Sequence, residues 1–347
     1  MADDQTPATD PQPWWIYRGT GEPAPGALPT QGVIDHLDPA QAPNWRQFGK
    51  ETKRERGADF EPDREVIHRV NAALLLRRPL LVTGPPGTGK TSLTYAIAYE
   101  LGLGEVLRWS ITSRTALHDG LYHYDAIARL QDTPQFGDRQ GQRPSIGDYL
   151  KLGPLGTAFA GRQVEGRYYP RVLLIDEIDK SDIDLPNDLL HIFEEGEFEI
   201  PELKRDTANT THQVAPWDDG APVAIERGLM PCRAFPVVVM TSNGEREFPP
   251  AFLRRCLQLR LQRPDPDKLR RIVYARLKPD ADLKDRIEDL LTLFCERART
   301  KDLAADQLLN AVYLVMQRVD LLEGTRPLAD RERLMEALFK SLDGDQP

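Results

Sequence analysis

The chain has 347 residues, with 54 acidic residues against 45 lysines and arginines, a formal net charge of −9 and a pI near 5.3. This acidic balance argues against a surface that coats DNA without sequence preference, because such surfaces are basic. It still allows a few basic residues in a central pore. A chain of this length is expected to form about two domains.

The cysteines and the hydropathy pattern bear on the compartment. Cys232, Cys256 and Cys295 are far apart and form no CxxC pair. We therefore expect reduced thiols in a cytoplasmic protein, without a zinc site or a disulfide framework. No apolar run approaches the ~20 residues of a membrane-spanning helix. The expectation is a soluble intracellular protein with no membrane partner.

Residues 1–60 are predicted to form a Pro-rich N-terminal arm. Eight prolines between positions 7 and 43 disfavour regular secondary structure. Aromatic residues such as Trp14, Trp15 and Trp45 are nevertheless too apolar for a plain linker. Two interpretations stay open: an extended arm that packs on the globular part or on a neighbouring subunit, and a disordered tail.

The first chemical motif is residues 80–91, LLVTGPPGTGKT, which matches G-x-x-x-x-G-K-[ST] at every fixed position. An apolar strand precedes the glycines and a helix over 91–101 follows them, as this motif requires. Glycines let backbone N–H groups approach phosphate oxygens, and the helix N-terminus adds oriented dipoles. Lys90 is expected to reach the β- and γ-phosphates, and the Thr91 hydroxyl to hold Mg²⁺. The predicted nucleotide-binding residues are Gly84, Pro85, Pro86, Gly87, Thr88, Gly89, Lys90, Thr91 and Ser92.

The segments on either side of this motif are less regular. Apolar residues at helical spacing over 66–74 predict a helix before it, and Phe60 is either a core aromatic, which we favour, or a contact for the nucleotide base. Residues 106–110 predict a second strand, and 108–130 has no clean periodicity. Residues 137–147 are predicted to be an exposed loop. Residues 146–160 are predicted to be helical around a break at Gly153-Pro154.

The second chemical motif is residues 172–180, VLLIDEIDK. Four apolar residues predict a buried strand that ends in Asp176 and Glu177, where both carboxylates would face the phosphate loop of a neighbouring strand. Asp176 is expected to hold Mg²⁺ through its water shell, and Glu177 to polarise the attacking water as a general base. Because an apolar strand ending in acids is common, the preceding phosphate loop is what makes the pair informative.

A third apolar strand, residues 236–243, ends in polar residues. Asn243 is placed to orient the water or to contact the γ-phosphate, with Thr241 and Ser242 as lesser candidates. A polar cap at the end of the strand is the alternative interpretation.

Residues 252–261, FLRRCLQLRL, place two arginines on what we expect to be an extended segment before an alternating strand. Arginine suits developing phosphate charge because it is permanently ionised and forked. The candidates for such a role are Arg254 and Arg255. A surface pair is the alternative interpretation.

The C-terminal part is predicted to be a helical domain. Apolar residues recur at i, i+3, i+4 and i+7 on one helix and continue on a later one, which indicates core packing. The predicted core positions are Ile287, Leu290, Leu291, Phe294, Leu308, Val312, Val315 and Val319.

These motifs, in this order, resemble the AAA+ ATPases. GPPGTGKT resembles their Walker A motif, LLIDE their Walker B motif, TSN their sensor 1 and LRRC their arginine-finger segment, over about residues 60–345. Within that superfamily the chain is similar to the MoxR branch of the helix-2-insert clade. The long interval from Lys90 to Asp176 leaves room for the insert, and KLGPLGTAFAG is similar to the GPL stretch of MoxR proteins. The interval from Asp176 to Asn243 leaves room for a hairpin, with strands at 197–200 and 223–225 and an exposed tip at 206–220.

The resemblance implies an α/β P-loop core with a parallel sheet flanked by helices, residues 61–262, and a C-terminal helical lid, residues 263–347. It implies a homo-oligomeric ring, expected to be a hexamer, that hydrolyses ATP with Mg²⁺ and takes Arg255 from the next subunit. The partner would be a protein client or a von Willebrand factor A domain protein. The sensor 2 arginine of the family is absent from residues 303–312, and Arg299 and Lys301 lie just upstream, outside the pattern.

Two other functions stay open. A motor subunit of a nucleic-acid-targeting defence or restriction system belongs to the same clade, and stimulation of hydrolysis by DNA would favour it. A small-molecule kinase also uses a phosphate loop, but Glu177 together with an arginine segment favours hydrolysis.

Overall fold

The computed structural model describes residues 60–135, 144–207, 209–301, 303–319, 321 and 328–340, and single residues at 38, 42, 43, 46 and 57. The chain divides into two compact units, one of residues 53–263 and one that includes residues 264–347. Apart from those single residues and Phe60, the predicted N-terminal arm lies outside the described residues, as does most of the loop predicted at 137–147. The domain boundaries given above stay predictions.

In chain order, the strands are β1 (Leu80–Thr83), β2 (Leu107–Ser110), β3 (Tyr122–Tyr124), β4 (Leu150–Leu152), β5 (Arg162–Val164), β6 (Arg167–Tyr169), β7 (Val172–Asp176), β8 (Glu197–Glu199), β9 (Thr211–Val214), β10 (Val223–Glu226), β11 (Leu229–Pro231), β12 (Val237–Ser242) and β13 (Leu257–Arg260).

The helices are α1 (Arg64–Leu76), α2 (Lys90–Glu100), α3 (Leu117–Leu121), α4 (Ala126–Gln135), α5 (Pro154–Ala160), α6 (Leu185–Glu195), α7 (Pro201–Lys204), α8 (Pro250–Arg255), α9 (Pro266–Leu277), α10 (Lys284–Arg297), α11 (Ala305–Met316) and α12 (Leu328–Leu338). Short 3-10 turns lie at Ile146–Tyr149, Ile178–Lys180 and Ala281–Leu283. No described helix is both long enough and apolar enough to cross a membrane.

The first unit is built on a five-stranded sheet in the order β13-β1-β12-β7-β2, in which every pair is parallel. All five residues of β7 are buried, as expected for a parallel strand covered on both faces. The five predicted strands are therefore confirmed. Because the strands run in the same direction, the carboxyl ends of β1, β7 and β12 meet at one edge of the sheet.

Helices cover both faces of this sheet. Leu80 and Val82 pack into a cluster with α1 and α2, whereas Leu81 packs into a second cluster with α5, α6 and α8. Val239 and Met240 divide between the two clusters in the same way. This alternation is the two-residue period of a strand, and it confirms the predicted α/β architecture.

The segment after β2 differs from the prediction. Residues 146–152 form a 3-10 turn and then β4, and only α5 is helical. Leu150 and Leu152 are buried while Lys151 is exposed, which is the alternation of a strand, and β4 pairs with β3. The short α5 is entirely buried, and a Cβ at Gly156 would lie 2.1 Å from the backbone oxygen of Leu121, so this helix needs glycine to pack.

The hairpin predicted between 197–200 and 223–225 is wrong. Those residues lie in β8 and β10, which are separated by β11 in a four-stranded antiparallel sheet of order β8-β11-β10-β9. The cause is local: Arg227 and Gly228 have φ of 51° and 70°, the conformation of a two-residue hairpin turn, so β11 folds back onto β10. The predicted exposed tip also contains β9, with His212 and Val214 buried.

The second unit consists of helices packed around one apolar cluster. Leu269 and Val273 of α9 pack with residues of α10 and α11, and Phe339 follows α12 into the same cluster. The eight core positions predicted in this region are all buried. Val319 lies just beyond the end of α11 rather than within it.

Candidate active site

The phosphate loop lies at the carboxyl edge of the sheet, where residues 84–89 connect β1 to α2. Gly84, Gly87 and Gly89 have φ of 147°, 76° and 89°, which L side chains rarely adopt. A Cβ at Gly84 would also lie 2.5 Å from the backbone oxygen of Leu261. The loop therefore depends on these glycines, and it leads directly into the N-terminus of α2, where anions are favoured.

Lys90, the first residue of α2, folds back over this loop. Its Nζ donates hydrogen bonds to the backbone oxygens of Gly84 at 2.7 Å and Pro85 at 2.8 Å. Burial lowers the pKa of Lys90, and nearby acidic side chains, with Asp179 the largest contributor, oppose that effect. The ammonium is thus held by neutral carbonyls, which anionic phosphate oxygens would outcompete as acceptors.

The other predicted nucleotide-binding residues lie in the same loop or in the first turn of α2. Thr88 donates its hydroxyl to the backbone oxygen of Pro85 at 2.9 Å, which closes the loop on itself. Pro86 lies between them, and Thr91 and Ser92 follow Lys90. Phe60 is half-buried against the α1 cluster, and a Cβ at Gly89 would lie 3.1 Å from its ring. Phe60 is therefore a core aromatic beside the loop, and its contact with a base stays a prediction.

Asp176, the last residue of β7, is hydrogen-bonded to the first turn of α2. Its Oδ1 accepts hydrogen bonds from Thr241 Oγ1 at 2.7 Å and from Thr91 Oγ1 at 3.2 Å. A hydroxyl and a carboxylate are hard oxygen ligands of the kind that Mg²⁺ takes, with water and phosphate completing its shell. Among the described residues no cluster of three His, Cys, Asp or Glu side chains exists, which is compatible with such a sparse protein ligand set. Thr91 and Asp176 thus fit the predicted metal role.

Arg108 is a residue of this site that the sequence did not indicate. Its Nη2 donates to Asp176 Oδ2 at 2.6 Å, so both carboxylate oxygens of Asp176 are hydrogen-bonded. On β2, Leu107 and Trp109 are buried while Arg108 is exposed, which in sequence looks like an ordinary surface position. The two-residue period of a strand could have indicated this contact. Ser110 lies opposite Asp176, and residue 108, two positions earlier on β2, is on the same face of the sheet.

Glu177 follows Asp176 in a strained backbone conformation. Its φ of 63° and ψ of 50° lie in the left-handed region, which is uncommon for a residue other than glycine. Its N–H donates to Thr241 Oγ1 at 2.9 Å, so one hydroxyl on β12 ties together the backbone of Glu177 and the carboxylate of Asp176. Its Oε2 accepts from Lys180 Nζ at 2.7 Å. The Glu177 carboxylate is partly exposed and paired with a lysine of its own turn.

Asp179 fixes the segment that contains Asn243. Its buried Oδ2 accepts the backbone N–H groups of Asn243, Gly244 and Glu245 at 2.9, 3.0 and 3.1 Å. Within the described chain, its Oδ1 is buried without a hydrogen-bond partner. The Asn243 side chain donates only a weak bond to Glu245, at 3.4 Å. Asn243 therefore lies at the predicted edge of the sheet, and Asp179, which the sequence analysis did not single out, sets its position.

Arg254 and Arg255 are the predicted residues that the chain does not bring to its own phosphate loop. The expected extended segment is wrong, because both arginines end the short helix α8. Consecutive residues therefore project about 100° apart, not on opposite sides. Arg255 Nε forms an ion pair with Glu194 of α6, whereas Arg254 has no ion-pair partner in the described part of the chain.

A protein-family model matches the part of the chain that contains this site. Residues 80–264, more than half of the chain, match the family model described as "ATPase family associated with various cellular activities (AAA)". The match begins at the first residue of β1 and ends after β13, so it includes the phosphate loop, the Asp176-Glu177 pair, Asn243 and both arginines. No curated protein matches the sequence.

The Thr241 hydroxyl yields a stability prediction. Thr241→Val removes one donor and one acceptor from a buried position with little change of shape, leaving the Glu177 N–H without this partner. We expect unfolding to become easier by about 1–3 kcal/mol, the usual cost of an unsatisfied buried polar group. Urea denaturation should show this loss, while Thr241→Ser, which keeps a hydroxyl, should lose less. Equal stability of the two variants would contradict the bridging role.

Proposed function

The chain belongs to the ATPase family associated with various cellular activities (AAA), and on that premise we propose that it forms a ring in which Mg-ATP hydrolysis remodels or activates a protein partner. As a member of this family it is an ATP-hydrolysing P-loop NTPase. The observation that supports the site proposed for Mg-ATP hydrolysis is the hydrogen bond between Thr91 and Asp176, which joins the phosphate loop to the acidic strand end.

Each predicted site residue takes a role in this proposal. Lys90 and the N-terminus of α2 bind the phosphates. Thr91 and Asp176 would hold Mg²⁺, which would neutralise phosphate charge. Glu177 accepts a proton from the attacking water, and its partly exposed carboxylate is accessible to that water. Asn243, held by Asp179, orients the water or the terminal phosphate.

Arginine completes the proposed site from a neighbouring subunit. Neither Arg254 nor Arg255 contacts residues 84–91 or 176–177 within the described chain, so either would have to act across a subunit interface. We keep Arg255 as the expected finger. Its ion pair with Glu194 must then break when the interface forms. Arg254, which has no ion pair to break within the described residues, is the second candidate.

The choice of a protein partner rests on the similarity to the MoxR branch. The two intervals that this similarity assigns to inserts contain elements outside the five-stranded sheet: the β3–β4 pair with α3 and α4, and the antiparallel sheet β8-β11-β10-β9. We propose a protein client or a von Willebrand factor A domain protein as the partner and the cytoplasm as the compartment. The alternative is the motor subunit of a nucleic-acid-targeting system.

Double-stranded DNA separates these two functions. With a net charge of −9, we expect DNA at physiological salt to change the ATPase rate less than about twofold, because binding to phosphate backbones requires clustered basic residues. The measurement is steady-state hydrolysis with and without DNA over a range of salt concentrations. A several-fold stimulation that falls steeply with salt would instead support the nucleic-acid motor.

Replacing Glu177 tests the proposed base. Glu177→Gln keeps the shape of the side chain but cannot accept the proton, so ATP binding should stay near normal while hydrolysis falls by at least ~10². Nucleotide binding and single-turnover hydrolysis measure the two effects separately. Near-normal turnover would overturn the assigned role.

Replacing Lys90 provides the comparison for the Glu177→Gln variant. Lys90→Ala should lose nucleotide binding itself, because it removes the positive charge held over the phosphate loop. Unchanged nucleotide affinity in this variant would contradict the whole assignment of the site.

Mixing variants tests whether the site is shared between subunits. Arg255→Ala should bind ATP but hydrolyse it poorly, since an arginine finger contributes about 10³–10⁵ in rate where it has been measured. When mixed with Glu177→Gln, whose arginine is intact, activity should return although both parents are inactive. Steady-state hydrolysis of the mixture, after subunit exchange has been demonstrated, is the measurement.

The control for this mixture is the adjacent arginine. Arg254→Ala mixed in the same way shows which of the two residues is the finger. Exchange without recovery in either mixture would indicate that the arginine acts within its own subunit or that the ring requires every site to be intact.

A further inference from the structure

Asp176 and Glu177, the two carboxylates of the proposed site, are each paired with a cation of their own chain. Arg108 Nη2 lies 2.6 Å from Asp176 Oδ2, and Lys180 Nζ lies 2.7 Å from Glu177 Oε2. The two pairs differ in their surroundings. The Asp176 carboxylate is 7% exposed, whereas the Glu177 side chain is 44% exposed. Water screens the second pair, whereas the Asp176 carboxylate is buried and its charge needs nearby cations, which are Arg108 and Lys90.

The pairing of Asp176 conflicts with a metal at the same carboxylate. Oδ1 is engaged by Thr241 and Thr91, so Oδ2 is the oxygen that Arg108 occupies. A divalent cation beside Asp176 and a guanidinium at 2.6 Å from it would repel each other across one carboxylate. Binding of a divalent cation beside Asp176 would therefore weaken the pairing of this carboxylate with Arg108.

Arg108 is able to leave. Its side chain is 51% exposed and is anchored on β2, which is the last strand of its sheet. Its Nη2 and the Thr91 hydroxyl, in the first turn of α2, donate to the two oxygens of the same Asp176 carboxylate. A phosphate bound at Lys90 and Thr91 would therefore lie close to the released guanidinium, whose planar fork matches phosphate oxygens.

We propose that Arg108 is an exchangeable counter-ion: it neutralises Asp176 when no metal is bound, is displaced by Mg²⁺ with nucleotide, and then contacts the nucleotide phosphate from within the same subunit. This inference rests on the proposed metal role of Thr91 and Asp176. Arg108 would then be a nucleotide-contacting residue that lies outside the phosphate loop and outside the Asp176-Glu177 motif.

The test compares Arg108→Gln with Lys180→Gln. Each variant removes one positive charge from a carboxylate at nearly the same distance, so a general change in electrostatics would affect both alike. The first measurement is the affinity of nucleotide-free protein for Mn²⁺, a stand-in for Mg²⁺ that is followed by the electron paramagnetic resonance of the free ion. Arg108→Gln should bind Mn²⁺ about tenfold more tightly than the wild type, because Asp176 loses its competing charge-assisted hydrogen bond. Lys180→Gln should stay near the wild type.

The second measurement is the affinity for a nonhydrolysable ATP analogue in Mg²⁺. Here Arg108→Gln should bind about tenfold more weakly, because the phosphate has lost a charged partner. Arg108→Lys, which keeps the charge but not the fork, should be intermediate. Thermal unfolding of each variant checks that the fold is intact, as expected for a half-exposed position on the last strand.

The outcomes distinguish the inference from the proposed function. If the wild type hydrolyses ATP with Mg²⁺ but Arg108→Gln matches Lys180→Gln in both affinities, the counter-ion exchange is overturned and the proposed function stands. Tighter Mn²⁺ binding with unchanged nucleotide affinity would overturn the phosphate contact alone. A wild type without Mg²⁺-dependent hydrolysis would overturn the proposed function first.

Discussion

The carboxylate of Asp176 is the group on which the architecture of the first unit converges. It ends β7, and hydroxyls from α2 and β12 and a guanidinium from β2 donate hydrogen bonds to it. A charge buried to this extent is tolerated only if such partners surround it. The parallel order of the sheet provides them, because it places β2 and β12 on the two sides of β7. The strand order that builds the sheet therefore also provides the partners of the buried Asp176 carboxylate.

A second layer of buried polar contacts holds the surrounding loops. Thr241 links Glu177 and Asp176 to β12, and Asp179 gathers three consecutive N–H groups of the segment that begins at Asn243. These contacts join the carboxyl ends of the neighbouring strands β7 and β12. Glu177 is kept in a left-handed conformation within this frame. We infer that the frame stores the strain that positions its carboxylate.

Four cationic side chains of the first unit are each paired within the chain. Lys90 is held by carbonyl oxygens of the phosphate loop, Arg108 by Asp176, Lys180 by Glu177 and Arg255 by Glu194. Each of these groups has an internal partner that a phosphate or a neighbouring subunit would have to replace. In the proposed mechanism, nucleotide binding and ring assembly therefore replace these internal partners with phosphate oxygens or with groups of a neighbouring subunit. The free energy of each step is the difference between the old pairing and the new one.

The sequence by itself determined the phosphate loop, the five strands of the parallel sheet and the apolar faces of the C-terminal helices. These features are local: glycines with positive φ, apolar runs and helical spacing act over a few residues, so they are visible in one stretch of chain. It did not reveal that β11 separates β8 from β10, because that order depends on a turn at Arg227-Gly228 and on long-range pairing. Nor did it identify Arg108, Asp179 or the bridging position of Thr241 as parts of the site. Arg108 and Asp176 are 68 positions apart, and Asp179 and Asn243 are 64 apart. Only the folded sheet brings such residues within hydrogen-bond distance, since strand order, and not sequence spacing, decides which buried carboxylate meets which donor.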